Sequence, residues 1–217
     1  MEPLLAAILG YVVGSIPPTY LLARWLRGVD LRAYGSGTVG GSNVGVWVGR
    51  WATVVGGILD VTKGALPAWL AWREEWGTGS VIVAGLATII GHDWSLFLNF
   101  QGGRGLGTTL GFLLVIAPWA WVPLLGGLAL GYALRLTAVG ALLGLLFLPV
   151  LSWGTGQPRP VTLACLAVLA IAVLKRLEAN RRPLPPDRSR HRVLLNRLLL
   201  DRDIEEYQAW IHQTPKS

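Results

Sequence analysis

Charged residues are scarce in this sequence, at 14% of its 217 residues, whereas 53% are hydrophobic and the mean hydropathy is +0.51. That balance is atypical of soluble domains and predicts an integral membrane protein. The net charge of +7 comes mostly from basic residues beside apolar segments and in the C-terminal tail, as expected next to an anionic lipid surface. We therefore expect membrane lipids as partners and no nucleic acid.

Cysteine and histidine are scarce too. The single cysteine, Cys165, lies inside an apolar run, which excludes an intrachain disulfide. The three histidines, His92, His191 and His212, do not have metal-ligand spacing, so we expect no metal site and no cofactor. The first residues, Met1-Glu2-Pro3, lack the basic segment of a signal peptide, which favours a retained first anchor.

The sequence signatures of several protein classes are missing. There is no Gly-x-Ser-x-Gly nucleophile elbow. The stretch Gly102–Thr109 has glycines reminiscent of a P-loop but not its lysine, which argues against an NTPase. No internal repeat is visible, and this disfavours a small transporter, the least favoured alternative.

Long apolar runs are abundant, and we interpret seven of them as membrane-spanning helices. Their predicted bounds are Leu4–Leu26, Trp51–Trp72, Val81–Phe100, Leu106–Ala117, Trp119–Leu134, Leu136–Leu151 and Val161–Leu174. Pro17 and Pro18 predict a kink or break in the first helix. The expected fold class is an all-α integral membrane protein with about seven transmembrane helices.

Basic residues are distributed unevenly between the two ends of these helices. With seven spans, one side carries most of the arginines and the whole basic tail, whereas the other carries only Arg73 and Arg159. Lys and Arg favour the cytoplasmic side. We therefore predict that the N-terminus is outside, and that the C-terminus and the glycine-rich loops described below are cytoplasmic.

The chain is predicted to divide into a polytopic transmembrane domain, residues 1–176, and a basic cytoplasmic tail, residues 177–217. In the tail, leucines fall on one face of a helix: Leu194, Leu195, Leu198 and Leu199. Two interpretations stay open. The tail either forms an amphipathic helix in the membrane interface or stays solvated near anionic lipid.

Two glycine-rich stretches flank apolar segments on the predicted cytoplasmic side. The first, Tyr34–Asn43, contains several glycines and the hydroxyl groups of Ser36, Thr38 and Ser42; the second, Gln101–Thr109, carries its own cation, Arg104. Glycines let backbone N–H groups approach an anion closely. A flexible linker is the alternative for either stretch alone, but two such loops favour phosphate binding.

Ionisable residues also occur inside the predicted spans, where charge is costly. Asp60 and Lys63 are three residues apart and lie on one face of a helix. They are interpreted as a mutual ion pair, as a polar group facing a cytoplasmic cavity, or as both. His92 lies between Gly91 and Asp93 at the end of the third span.

Taken in order, these motifs resemble the bacterial membrane acyl-phosphate:glycerol-3-phosphate acyltransferases, the PlsY family. The matching residues are Gly14-Ser15-Ile16-Pro17, Gly35-Ser36-Gly37, Gly40, Asn43, Asp60, Lys63-Gly64, Gly91-His92, Gly102-Gly103-Arg104-Gly105, His191-Arg192 and Arg197-Leu198. The resemblance implies seven spans in the bacterial inner membrane. It also implies acyl transfer from acyl-phosphate to glycerol 3-phosphate, which yields lysophosphatidic acid for phospholipid synthesis.

The candidate catalytic residues are Ser36, His92 and His191. The candidate substrate-binding residues are Gly35, Gly37, Thr38, Gly40, Ser42, Asn43, Lys63, Gly102, Gly103, Arg104 and Arg192. The resemblance places a phosphate-contacting serine at Ser36 and a tail histidine at His191, and it keeps a cation at Arg104.

Four positions depart from the family pattern. Thr38 stands where an asparagine is usual, Val46 for an arginine, Gln101 for a lysine and Leu194 for an asparagine. Arg50, one helical turn beyond Val46, is a hypothetical replacement for the missing arginine. The departures leave a second interpretation open, a diverged and weakly active or inactive family member that acts as a lipid-binding or regulatory membrane protein.

Overall fold

The computed structural model describes residues 1–186 and 188–212, and it contains helices and no strand within those ranges. The α-helices are α1 Glu2–Ser15, α2 Pro18–Arg27, α3 Gly41–Trp47, α4 Arg50–Arg73, α5 Gly77–Asp93, α6 Leu106–Ile116, α7 Trp121–Ala133, α8 Thr137–Gly154, α9 Arg159–Glu178, α10 Arg190–Leu200 and α11 Tyr207–Ile211. Short 3-10 turns lie at Leu96–Leu98, Pro118–Ala120 and Ala179–Arg181. The predicted all-α class is confirmed. The last residues of the predicted tail, 213–217, lie outside the described residues.

Five helical segments of the described chain are long and apolar enough to cross a membrane. They are Glu2–Arg27, Arg50–Arg73, Gly77–Leu98, Thr137–Gly154 and Arg159–Arg181. The other two predicted spans correspond to α6 and α7, which have 11 and 13 residues. At 1.5 Å per residue they extend roughly 17–20 Å, less than a hydrocarbon core of about 30 Å. The count of seven crossings therefore stays a prediction.

Glycines bring α1 and α5 into direct backbone contact. A Cβ atom added to Gly10 would lie 2.2 Å from the carbonyl oxygen of Ala84, and one added to Gly14 would lie 2.1 Å from that of Thr88. Such small residues let membrane helices approach closely. Because the contact positions advance together along both helices, α1 and α5 run parallel.

The helices α4 and α6 also run parallel, and their register decides the depth of the second glycine-rich loop. Gly107 lies against Gly57, and Gly111 lies against Val61. The first turn of α6 is therefore level with Asp60, about 15 Å along α4 from its start. The chain that leads into α6 consequently reaches well into the helix bundle, where Asp60 is found.

The residues after α9 fold back onto the bundle. Ala179, Asn180 and Arg181 all have left-handed backbone conformations, with φ of 49°, 55° and 59°, and they reverse the chain direction at the end of α9. Residues without glycine's freedom adopt this conformation rarely, and such strain is concentrated at functional sites. The three consecutive left-handed residues therefore indicate a functional role for this turn.

Helix α10 turns a valine and two polar residues toward the bundle and two leucines outward. Val193, Asn196 and Arg197 are buried, whereas Leu195 and Leu199 are about two-fifths exposed, at 42% and 44%. This pattern suits a helix lying between the protein and lipid. The placement of α10 in the membrane interface stays a prediction.

Candidate active site at the glycine-rich loops

The first glycine-rich loop joins α2 to α3 and is held in one conformation by Asn43. Its Nδ2 atom donates to the carbonyl oxygens of Leu31, Tyr34 and Thr38 at 2.9, 3.0 and 2.9 Å, and the residue is fully buried. Asn43 therefore stabilises the loop backbone from its buried side. The structure places this predicted binding residue behind the loop surface rather than on it.

Two hydroxyl groups mark the surface of this loop. Ser36 Oγ and Thr38 Oγ1 lie 2.8 Å apart, and Ser36 is partly exposed whereas Thr38 is buried. Gly35 and Gly37 flank Ser36 with φ of 52° and 64°, a region that glycine adopts without strain. The geometry presents the Ser36 hydroxyl at the edge of a preorganised turn.

The remaining candidates of the first loop lie further along the chain. Gly40 is the N-cap residue that precedes α3, and its carbonyl oxygen accepts from the Val44 amide at 3.2 Å. Ser42 is exposed, as is Val46 at 39%. Arg50, the hypothetical replacement for an arginine at Val46, is exposed at the first turn of α4. Its role as that replacement stays a prediction.

The second glycine-rich loop packs directly on His92. The Gly103 amide donates to the His92 carbonyl oxygen at 3.1 Å, and a Cβ atom added to Gly103 would lie 2.1 Å from His92 Nε2. A Cβ atom on Gly102 would lie 2.1 Å from the His92 carbonyl oxygen. Only glycine fits at these positions, so the loop and the imidazole ring fix each other's place.

Asp60 connects this histidine to the second span. Its Oδ1 atom lies 3.4 Å from His92 Nδ1 and 3.1 Å from Lys63 Nζ, and all three side chains are buried. The predicted ion pair between Asp60 and Lys63 is present. Asp60 therefore orients the imidazole from one side while Gly103 packs on the other.

Lys63 also supplies hydrogen bonds to the backbone at the break between α1 and α2. Its ammonium donates to the carbonyl oxygens of Gly14 and Ile16 at 3.0 and 2.7 Å. In an unbroken helix the Gly14 carbonyl would accept from residue 18, but Pro18 has no N–H. The ammonium takes its place, so Lys63 has a structural task in addition to any contact with substrate.

Arg104 joins the second loop to the C-terminal part of the chain. Its guanidinium donates from Nη1 to the Lys175 carbonyl oxygen at 2.9 Å, and its Nε atom lies 2.7 Å from Asp201 Oδ1. The side chain is 19% exposed. Arg104 is thus positioned at the loop by α9 and by the residue that follows α10.

Asn180 is not among the site residues predicted from the sequence, yet its side chain connects the two glycine-rich loops. Its Nδ2 atom donates to the carbonyl oxygen of Gly37 at 3.0 Å and to that of Gly102 at 3.1 Å. The amide reaches both because the left-handed turn after α9 points it into the bundle. No spacing in the sequence signals this, although asparagine is among the residues most often found in that conformation.

The tail residues His191 and Arg192 lie apart from the loops. Both are exposed on the first turn of α10, and Arg192 pairs with Glu205 at 2.8 Å. Among the described contacts, none joins His191 to either glycine-rich loop. The structure brings together the candidates of the two loops, His92 and Lys63, but not these two.

The glycerol-3-phosphate acyltransferase family profile matches residues 4–184. The chain belongs to the glycerol-3-phosphate acyltransferase family. The match ends before α10, so His191 and Arg192 lie outside it. Their predicted roles have no support from this alignment, whereas Asn180 lies within it.

Named family members resemble the chain along most of its length. Glycerol-3-phosphate acyltransferase 5 of Dehalococcoides mccartyi (strain ATCC BAA-2266 / KCTC 15142 / 195) is 39% identical over 97% of this chain and 93% of its own. A glycerol-3-phosphate acyltransferase of Synechococcus sp. (strain JA-3-3Ab) is 39% identical over 81% of this chain and 88% of its own. The family resemblance predicted from the motifs is therefore confirmed.

A solved structure shares the fold. The crystal structure of PlsY (YgiH), an integral membrane glycerol 3-phosphate acyltransferase in its glycerol 3-phosphate form, is 28% identical and matches with a TM-score of 0.74. It covers 84% of this chain and 92% of that one. The predicted class, an all-α integral membrane protein, is confirmed by this similarity.

Proposed function

We propose that the chain is an acyltransferase that moves a fatty acyl group from acyl-phosphate to glycerol 3-phosphate and yields lysophosphatidic acid. The observation that carries the proposal is the union of both glycine-rich loops at one place, through Asn180, with the Ser36 hydroxyl at its edge. The named relatives and the PlsY structure with glycerol 3-phosphate support it. The site of action is proposed to be the bacterial inner membrane.

The chemistry suits a site made of backbone amides, hydroxyls and cations. Acyl-phosphate is already activated, so no covalent acyl-enzyme is needed. The site has to hold the acceptor hydroxyl against the carbonyl carbon and stabilise the oxyanion that develops there. The proposal assigns the substrate contact to Ser36, whose hydroxyl lies 2.8 Å from that of Thr38. It assigns to His92, which lies between Asp60 and Gly103, the task of holding the second loop.

The proposal is tested with purified protein reconstituted in lipid vesicles. Palmitoyl phosphate and sn-glycerol 3-phosphate are supplied, and lysophosphatidic acid and released phosphate are followed. We expect both products in equal amounts, and we expect turnover to be lost in Ser36→Ala. Ser189→Ala, an exposed serine before α10, is the control that should keep full activity.

The alternative interpretation, a diverged and weakly active or inactive family member, predicts the opposite result, which is little or no turnover by the unmodified chain. Val46 and Gln101 lack the cations that the family pattern places there. If the folded protein shows no turnover and the double variant Val46→Arg/Gln101→Lys gains it, the original chemistry has been dismantled in this chain. Turnover by the unmodified chain that the double variant does not raise excludes that interpretation.

A further inference from the structure

Arg182 follows the left-handed turn after α9, and its guanidinium lies on the first glycine-rich loop. Nη2 donates to the Gly35 carbonyl oxygen at 2.9 Å. The guanidinium carbon lies 4.6 Å from the centroid of the Trp210 ring in α11, within the range of a cation–π contact. A Cβ atom added to Gly37 would lie 2.6 Å from Nη2. The cation is therefore clamped in one orientation between loop and indole.

The partners of Arg182 distinguish it from most other cations near the loops, although buried Arg176 likewise donates to carbonyl oxygens, those of Leu198 and Ala138. Four of the other cations are held by carboxylates, in the pairs Lys63–Asp60, Arg104–Asp201, Lys175–Glu178 and Arg197–Asp203. Within residues 1–186 and 188–212, the contacts that hold Arg182 are a carbonyl oxygen and an aromatic ring, and neither neutralises its charge. Asp203, the carboxylate that acts on it electrostatically, is already paired with Arg197.

Partial burial disfavours the charged form of Arg182, and a bound anion would offset that cost. The loss of solvent lowers the pKa of Arg182 below its usual range, which is the expected effect of desolvation on a charged group. The side chain remains partly exposed, so a solute can reach it. An arginine fixed in this way presents planar, parallel N–H groups, which match the geometry of a phosphate group.

We propose that Arg182 binds the phosphate group of a substrate that enters the first glycine-rich loop beside Ser36, and that it thereby determines the preference for a phosphorylated substrate. The assignment rests on the proposed function, which supplies two phosphate-bearing molecules. Glycerol 3-phosphate and acyl-phosphate share the chemistry that Arg182 would recognise. Their separate KM values identify which one it contacts.

The decisive variants are Arg182→Gln and Arg182→Lys, assayed with palmitoyl phosphate and sn-glycerol 3-phosphate. Loss of one charge-assisted contact should raise the KM of the contacted substrate about 10- to 100-fold, while kcat stays within a few-fold. Lysine should restore part of the affinity, because it keeps the charge without the planar fork. Arg181→Gln is the matched control: that side chain is 68% exposed in the same turn, and its loss should leave both KM values unchanged.

A purely structural role for Arg182 gives a different result. If it only fastens α11 to the loop, Arg182→Gln and Trp210→Leu should lower thermal stability and kcat alike and leave both KM values and the inhibition constant of inorganic phosphate unchanged. Under the proposal, that inhibition constant rises in Arg182→Gln in proportion to the affected KM. A folded Arg182→Gln protein with unchanged KM and inhibition constants overturns the assignment.

Failure of the proposed function is a separate outcome. If the unmodified protein does not turn over, calorimetric titration with inorganic phosphate still compares it with Arg182→Gln. Weaker phosphate binding by the variant supports Arg182 as the anion-binding residue even then. Equal phosphate binding by both proteins contradicts it.

Discussion

At the scale of single residues, the amide of Asn180 is the point on which the two glycine-rich loops depend. Asn180→Gly keeps the left-handed backbone, because glycine adopts φ near 55° freely, and removes only the two donated hydrogen bonds. Each carbonyl left unpaired costs about 1–3 kcal/mol. We expect kcat/KM to fall about 10- to 100-fold, measured as initial rates of lysophosphatidic acid formation.

The matched control for this change is Asn99→Gly. Asn99 has φ of 52° as well, but it is exposed in the loop between α5 and α6. Its replacement should leave the rate within two-fold, roughly the scatter of a surface substitution. Equal effects of the two changes would show that the Asn180 amide is not what joins the loops.

Gly103 offers a second test at this scale. In Gly103→Ala the new Cβ atom would lie 2.1 Å from His92 Nε2, so the imidazole or the second loop has to move. We expect turnover to fall at least about 100-fold, because misplacement by about 1 Å has such an effect on catalysis. Gly79→Ala in α5, where a Cβ atom meets nothing within 4 Å, should keep normal rates.

Sequence patterns identified functional residues that cluster along the chain. They did not identify residues that reach the site only because the fold brings distant segments together. Ser36 and Gly103 are recognisable because hydroxyls and glycines cluster along the chain. Asn180 and Arg182 act on Gly37 and Gly35, more than 140 positions earlier. Nothing in the spacing of a basic tail reveals a contact over that separation.

At the scale of the helices, the break in the first span is stabilised by the second. Lys63→Met removes the ammonium from two carbonyl oxygens and leaves the buried Asp60 without its lysine. Loss of one partner of a buried pair costs about 3–5 kcal/mol. For a chain of this size that corresponds to a fall in Tm of roughly 6–20 °C, measured by thermal unfolding in detergent.

The double variant Asp60→Asn/Lys63→Met separates the ion pair from the carbonyl contacts. Neutralising Asp60 removes the unpaired charge, so Tm should recover in part but stay below that of the unmodified protein because the Gly14 and Ile16 carbonyls remain without their ammonium. Full recovery would mean that the break needs no donor from α4. Pro17 and Pro18 predicted the break from the sequence. That Lys63 supplies the missing donor could not be predicted, because it depends on the packing of α1 against α4.

At the scale of the whole molecule, helix direction agrees with the charge distribution. The parallel pairs α1–α5 and α4–α6 are what alternating crossings require. Contacts of Gly127 with Gly144 and of Gly131 with Gly140 run in opposite order, so α7 and α8 are antiparallel, as consecutive spans should be. The class, the helix order and the short α6 followed from hydropathy, since Leu106–Ala117 was already a short apolar run. How deeply the second loop enters the bundle did not, because that depth is set by the packing of α6 against α4.

Sidedness can be measured with single cysteines in a Cys165→Ala background, since Cys165 is fully buried. We introduce Ala33→Cys, Thr78→Cys and Pro118→Cys, all at exposed positions in or beside connections between helices. With the N-terminus outside and seven crossings, an impermeant maleimide should label Thr78→Cys and Pro118→Cys on intact spheroplasts, and Ala33→Cys only after permeabilisation. The reverse pattern at Ala33 and Thr78 would contradict the orientation. Labelling of Thr78→Cys without Pro118→Cys would mean that α6 and α7 enter the membrane without crossing it, because omitting that pair leaves every other connection on the same side.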